Sequence, residues 1–339
     1  MTGQDREADL DTDVLIIGAG PSGLFASYYA GMRELSVVLM DSQPAPGGQL
    51  MALYPGKPIY DVAGLPEVTG AELTGALVKQ AEFANPAWVL GEQATTLTHN
   101  SPGSSRRLTV TTDRGRRVHA DGVVVAAGIG SFQPRRLPAA EAHLGRGVSY
   151  TLSDLEDYHD RHVVVVGGGD SAVDWSLMLA PVTRSLTVVH RRRTMLAHAR
   201  AVSTLRETNA RFVLDAEVVA THGASRLEGV TVRRRDGGEE HLPADALIAA
   251  LGHTANLGPL AGWGFQLEAR QIVVDERMAT GLPGVFAVGD VTTHPGKVRI
   301  MAVGFGEAAT AINNLAAGLR PGEAVFPGHS TELMTTAAT

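Results

Sequence analysis

The 339-residue sequence contains no cysteine. That absence removes thiolate metal sites, cysteine-held iron–sulfur clusters and redox-active dithiols together. Aromatic residues make up only 5% of the chain. No apolar run reaches the roughly 20 residues that a bilayer-spanning helix needs, so no membrane association is expected. Basic residues number 29 against 36 acidic ones, a net charge of −7. That balance argues against nucleic acid as a partner, although Arg191–Arg193 and Arg135-Arg136 remain local basic spots. The N-terminal Met1-Thr-Gly-Gln-Asp-Arg-Glu-Ala-Asp is polar and mostly acidic, unlike a signal or transit peptide, and the expected location is the cytoplasm. His190 and His198 have no companion at metal-ligand spacing, so no metal is expected. Ser22 and Ser171 each lie two residues after a glycine, outside any G-x-S-x-G elbow.

What is abundant is glycine, 39 residues of it, in a chain 44% hydrophobic and 19% charged, long enough for two domains. Two glycine clusters carry the same fingerprint. The first is Val14-Leu-Ile-Ile-Gly18-Ala-Gly20-Pro-Ser-Gly23; the second is Val163-Val-Val-Val-Gly167-Gly-Gly169-Asp-Ser-Ala172. Each reads as an apolar strand, then G-x-G-x-x-[GA], then a helix. The first glycine makes the tight turn, the second lets backbone approach a pyrophosphate, and the third position packs helix on strand. The helix N-terminus faces the phosphates. Two such units point to two dinucleotides, and without cysteine the pair cannot reduce a disulfide.

The ends of the second strands separate the two nucleotides. Ser36-Val-Val-Leu-Met40 ends in Asp41, a carboxylate that accepts ribose hydroxyls and repels a 2′-phosphate. At the matching offset, Ser185-Leu-Thr-Val-Val189 ends in His190-Arg191-Arg192-Arg193. Guanidinium groups there suit a 2′-phosphate. A charge-assisted hydrogen bond contributes roughly 1.5–3 kcal/mol, enough for one or two to favour NADPH over NADH by ~10- to ~1000-fold. The alternative is a solvated basic loop.

The pattern repeats beyond the fingerprints. Leu108–His119 reads as a hairpin with Asp-Arg-Gly at its tip, leading into an apolar strand over 122–128; Gly229–His241 and 246–252 repeat that grammar. Strands at 272–275 and 285–290 and a helix over about 306–317 follow. The expected fold is α/β, with two Rossmann-like, three-layer ββα nucleotide-binding domains. Residues 1–128 with 253–339 form one, and 129–252 are inserted as the other. Gly128–Gly130 and Gly252-His253 would be the hinge, and two short links permit relative rotation.

The order of Gly18–Gly23, Gly47-Gly-Gln-Leu50, Gly167–Ala172, His190-Arg-Arg192 and Val288-Gly-Asp290 resembles bacterial thioredoxin reductases, except that Thr151 and Asp154 stand where those enzymes carry their C-x-x-C thiols. Gly48-Gln-Leu-Met-Ala-Leu-Tyr54-Pro, Tyr60-Asp-Val-Ala-Gly64, Gly304-Phe-Gly-Glu-Ala-Ala309 and Phe326-Pro-Gly-His-Ser-Thr331 narrow this. They are similar to the thioredoxin-reductase-type ferredoxin/flavodoxin–NADP⁺ reductases, over about residues 12 to 333. The resemblance implies FAD in the discontinuous domain and NADPH/NADP⁺ in the inserted one. It implies hydride exchange with the flavin, single-electron exchange with ferredoxin or flavodoxin, and a homodimer. No catalytic side chain is implied, because the flavin carries the chemistry.

Residue by residue, FAD would lie on Gly18, Gly20 and Gly23, with Asp41 on the adenosine ribose and Gln49 in contact. Tyr54 would stack on one isoalloxazine face and His329 on the other, with Thr331 beside it, from a tail that either subunit could supply. Ala94 would meet the adenine end, Phe132 would lie near the flavin, and Asp290 would bond the ribityl chain. NADP would lie on Gly167, Gly169, Asp170 and Ser171, with His190, Arg191 and Arg192 at the 2′-phosphate. Arg135-Arg136 or Arg106-Arg107 could help dock an acidic carrier. The alternatives on the same scaffold are an FAD-dependent oxidase and a flavin-binding redox sensor.

Overall fold

The computed structural model describes residues 8–53, 55–152 and 154–331, with the backbone alone at 131–134 and 253–255. The chain forms two compact units, residues 1–131 with 255–339, and residues 132–254. Unit one opens with β1 (Leu10–Ile17), α1 (Pro21–Met32) and β2 (Val37–Asp41). It continues through α2 (Gly70–Ala81), β3 (Ala87–Leu90), β4 (Ala94–His99), β5 (Leu108–Thr112) and β6 (Arg117–Val125). Unit two contains β7 (His162–Val166), α3 (Asp170–Leu179), β8 (Ser185–His190), α4 (Ala199–Arg206) and β9 (Arg211–Leu214). It ends with β10 (Ala216–His222), β11 (Gly229–Arg234), β12 (Glu239–Pro243) and β13 (Ala246–Ala249). The chain then returns to unit one with β14 (Val285–Ala287) and α5 (Met301–Leu319).

The apolar runs of unit one are buried on both faces, as parallel strands require. Its main sheet has the order β3-β2-β1-β6-β5-β4, with β14 beside β6. Parallel register sets Val14 beside Val37 on one side and Gly122 on the other. A Cβ on Gly122 would lie 2.5 Å from Leu315 Cδ1, so the missing side chain is what seats α5 on the sheet. The hairpin and the apolar strand expected separately over 108–128 share one strand. Arg117–Ala120 of β6 pairs antiparallel with β5, and Val123–Val125 pairs parallel with β14. Helix α2 was not expected, although Thr69 and Glu72 form a reciprocal capping box at its start. Helix α5 begins five residues before its expected start, at Met301.

Unit two shows the three ββα layers directly. Its parallel sheet runs from Val148–Ser149 through β13, β7 and β8 to β9. Alternate side chains divide between the two faces. Val164, Val166, Val189, Leu247 and Ala249 pack against the antiparallel β10-β11-β12 sheet through Val218, Val230, Val232 and Leu242. Val163, Val165, Leu186 and Ile248 pack against Ala172, Trp175 and Leu179 of α3. Among the described residues, no helix is long and apolar enough to cross a membrane.

Candidate dinucleotide sites

In unit one, β1 delivers the chain into a turn whose glycines do three different jobs. Gly18 has φ +111, and a Cβ there would lie 2.3 Å from the Ala126 carbonyl oxygen. A Cβ on Gly23 would lie 1.7 Å from the Gly18 carbonyl oxygen. Those two positions are closed to any larger residue. Around Gly20 there is nothing within 4 Å of a Cβ, so its face is open. Gly20 is also the N-cap of α1 and makes no side-chain cap bond, which leaves the first helical N–H groups turned toward that open face. Closed, open, closed is what a pyrophosphate needs.

Asp41 ends β2 beside this turn. Its Oδ2 accepts the Ala19 N–H at 2.6 Å and its Oδ1 accepts the Gln43 N–H at 2.8 Å. Burial pushes its carboxyl up from the usual value, against those two backbone donors that pull it down. Each oxygen keeps a lone pair for a further donor. Gln49 starts the short helix Gln49–Leu53, and its Nε2 lies 3.0 Å from where a Gly128 Cβ would sit. Gly48 crosses over Gly20, within 3.1 Å of its Cα for an added Cβ. Ala94 is buried at the start of β4 opposite Thr112. Asp290 is half-buried in a 3₁₀ turn following β14, and its backbone carbonyl accepts from Gln271 Nε2 at 3.0 Å. His329 and Thr331 are exposed, with the His329 ring edge-on to Phe326 at 5.3 Å. Tyr54 and the Phe132 side chain lie outside the described residues.

Unit two repeats the plan with different contents. A Cβ on Gly167 would lie 2.3 Å from the Ala250 carbonyl oxygen, and one on Gly169 would meet nothing within 4 Å. The third position is Ala172, fully buried. Asp170 and Ser171 are exposed in the first turn of α3. The basic segment folds back onto the glycine loop. Gly168 O accepts the Leu196 N–H at 2.6 Å and the Ala197 N–H at 3.2 Å, while Asp170 Oδ1 accepts the His198 N–H at 2.9 Å. Asp170 therefore ties the two halves of the site together.

His190 differs from the two arginines that follow it. Its ring is buried under Gly168, where a Cβ would lie 2.3 Å from Cε1, and its Nε2 has no hydrogen-bond partner. Burial holds its pKa below the usual value, and the charges of Arg192 and Arg191 lower it further. Arg191 and Arg192 are exposed, and Arg193 reaches Asp215 at 3.5 Å. An open glycine face, an orphaned buried imidazole nitrogen and two outward guanidinium groups fit a phosphorylated nucleotide. Among the described residues, no group of three His, Asp or Glu could hold a metal.

Sequence reasoning missed the wedge of His190 under Gly168 and the approach of Ser22 Oγ to Gly304, 2.4 Å from where its Cβ would be. Of the arginines offered for docking an acidic carrier, Arg106 donates through Nη1 to Asp13 at 2.7 Å and Asp121 at 2.5 Å within unit one. Arg136 likewise meets Glu141 at 3.2 Å.

The pyridine nucleotide-disulphide oxidoreductase family matches residues 12–313. A ferredoxin–NADP reductase of Frankia alni is 49% identical over 319 residues, 94% of this chain and 98% of its own. One of Thermus thermophilus is 44% identical over 330 residues, 95% of this chain and 97% of its own. Among solved structures, the T. acidophilum thioredoxin reductase superposes with TM-score 0.75 at 24% identity, over 92% of this chain and 99% of that one, a likeness of fold. The chain belongs to the pyridine nucleotide-disulphide oxidoreductase family, in the branch of the ferredoxin–NADP reductases.

Proposed function

We propose that this chain is an FAD-dependent reductase that moves electrons between NADPH and ferredoxin or flavodoxin without a disulfide relay, as a cytoplasmic homodimer. One observation carries the reading: two open glycine faces, one flanked by Asp41 and the other by outward Arg191 and Arg192, in a chain without cysteine. When bound, FAD supplies the exchange between a two-electron hydride and single electrons. The chain binds, orients and shields. The open face of Gly20 would admit the FAD pyrophosphate to the N-terminus of α1, with Gly18 and Gly23 shaping the turn, and Asp41 would accept the adenosine ribose hydroxyls. Ala94 supports the adenine end, and Gln49 and Asp290 hold the middle of the cofactor. On the family resemblance alone, Tyr54 and His329 would flank the ring, with Phe132 and Thr331 nearby.

In the inserted unit, the open face of Gly169 would admit the NADP pyrophosphate, with Gly167 making the turn and Ser171 in the first turn of α3. Asp170 holds the basic segment on the glycine loop. Arg191 and Arg192 grip the 2′-phosphate above the His190 ring. The homodimer and the location extend the family resemblance, and sedimentation at twice the chain mass checks the first.

The test is anaerobic. The purified protein should be yellow, lose its absorbance near about 450 nm on addition of NADPH, and regain it when oxidised ferredoxin or flavodoxin is added. A yellow protein that NADPH does not bleach would leave a flavin-binding redox sensor. Fast reoxidation by oxygen, with none by either carrier, would make it an oxidase.

A further inference from the structure

Beside the proposed flavin site lies a buried ion pair that the cofactor assignments leave unused. Lys297 Nζ sits 2.5 and 2.6 Å from the two carboxylate oxygens of Glu307, and each side chain is 6% exposed. Desolvation of such a pair consumes much of its Coulombic gain, and well-packed apolar residues commonly replace one without loss. Stability alone does not account for its placement. Two further hydrogen bonds of the pair converge on Gly289. Glu307 Oε2 accepts the Gly289 N–H at 2.8 Å, and Lys297 Nζ donates to the Gly289 carbonyl at 2.9 Å. Thr292 Oγ1 donates to that carbonyl at 2.8 Å, and His294 Nε2 lies 3.1 Å from Glu307 Oε1.

Both backbone groups of Gly289 are therefore gripped by buried charged side chains. Gly289 is a position that only glycine fills easily. It has φ +77, a left-handed conformation, and a Cβ there would lie 2.8 Å from Ser22 Oγ at the start of α1. It is also where the strand leading out of β14 ends and the turn bearing Asp290 begins. Lys297 belongs to the loop before α5 and Glu307 to α5 itself, so the pair joins that loop, that helix and that turn at one peptide.

We propose that Lys297 and Glu307 are positioning residues for FAD. They hold the Gly289 peptide and through it aim the Asp290 carboxylate and fix the approach to Ser22 at the α1 N-terminus. The proposal rests on the flavin reading above. It does not require either side chain to touch the cofactor.

The test compares K297M, K297R and the double variant K297M/E307L, each freed of FAD and reconstituted. The readouts are the FAD dissociation constant from flavin fluorescence, the visible circular dichroism of bound flavin, and the melting temperature of the FAD-free protein. K297M should raise the dissociation constant at least about tenfold, equivalent to 1.4 kcal/mol. The double variant should regain the FAD-free melting temperature while keeping the weak binding and an altered flavin spectrum. K297R, which keeps a cation on Glu307, should bring the constant back to within about threefold of wild type.

Combining K297M with D290N should cost little beyond the worse single variant, because both act through one turn. Fully additive losses, or wild-type affinity and spectrum in the double variant, would overturn the proposal. A double variant that cannot fold while K297R binds FAD normally would do the same, by making the pair structural only. A wild-type protein that takes up no FAD would end the flavin reading itself, before any variant is compared.

Discussion

The two glycine loops share a backbone plan, but the units around them use charge in opposite ways. The buried, formally charged side chains of unit one include Arg33, Glu92 and Glu307. Each has an ionic partner: Glu323 at 2.9 Å, Arg116 at 3.0 Å and Lys297 at 2.5 Å, respectively. Among the described residues of unit two the buried polar side chains are His143, Ser176, Thr187 and His190, none of which carries an obligatory charge. Its ion pairs, such as Arg184–Asp160 and Arg233–Glu239, lie on the surface. Of the unit one pairs, Lys297–Glu307 is buried on both sides, and breaking such a pair is costly, whereas Glu323 is exposed and the surface pairs of unit two contribute little. Unit one thus holds buried charge, as the FAD site proposed there would call for, and unit two keeps Arg191 and Arg192 facing water, as the NADP site proposed there would call for.

The largest expected effect comes from exchanging the third residue of each loop. Gly23→Ala would place a Cβ 1.7 Å from the Gly18 carbonyl oxygen. The helix must then leave the strand, so the folded yield and the yellow colour should both collapse. The opposite change, Ala172→Gly, removes one buried methyl at the start of α3. It should cost about 1 kcal/mol, from helix propensity and the lost contact, with little change in NADPH affinity. Purified yield, flavin content and melting temperature read both variants. A stable yellow Gly23→Ala protein would show that the first loop does not close as tightly as this geometry requires.

Next in size are Arg191→Ala and Arg192→Ala, which attack the outward charge of unit two. Each removes an exposed, charge-assisted contact of roughly 1.5–3 kcal/mol before discounting for solvent, so KM for NADPH should rise about tenfold. KM for NADH should hardly move. Equal losses for both nucleotides would remove the 2′-phosphate from the argument and return these residues to a solvated basic loop. Added salt should weaken NADPH more than NADH for the same reason.

How much of this was legible in the sequence depends on whether the signal was local. The strand–glycine–helix units and the acid-against-arginine contrast were legible, because each is a short run whose spacing is set by one turn of chain. The two hairpins were legible through Asp-Arg-Gly and Asp-Gly-Gly, with Gly115 at φ +83 and Gly237 at φ +91 in the turns. Helix α2 was legible and overlooked, since Thr69 and Glu72 announce it. The rest depends on contacts that no single turn of chain sets, from Lys297 and Gly289, 8 residues apart, to Arg106 and Asp13, 93 apart. Nothing local shows that Lys297 and Glu307 meet at Gly289, that Arg106 is held by Asp13 and Asp121, or that His190 lies beneath Gly168. Those contacts exist because β14 is laid beside β6, β5 pairs with β6 next to β1, and β8 is laid beside β7.

The smallest effect isolates His190, where unit two has a titratable group inside its core. Burial, then Arg192 and Arg191, hold its pKa below the usual value, so the folded protein keeps the ring neutral near pH 7. The unfolded chain takes up a proton first, at about pH 6.5. Stability should therefore be unaffected above that value and decline as pH falls below it, levelling off only once the folded ring is also protonated. The measurement is the melting temperature of wild type and His190→Gln between about pH 7.5 and 5, with the variant expected to show the flatter profile. Saturating NADP⁺ sharpens the comparison. A 2′-phosphate on Arg191 and Arg192 offsets the two charges that oppose protonation, so the acid loss should shrink with NADP⁺ and persist with NAD⁺. An identical slope in wild type and variant would mean that the imidazole is not the group that titrates. An identical response to both nucleotides would mean that the phosphate does not sit above it.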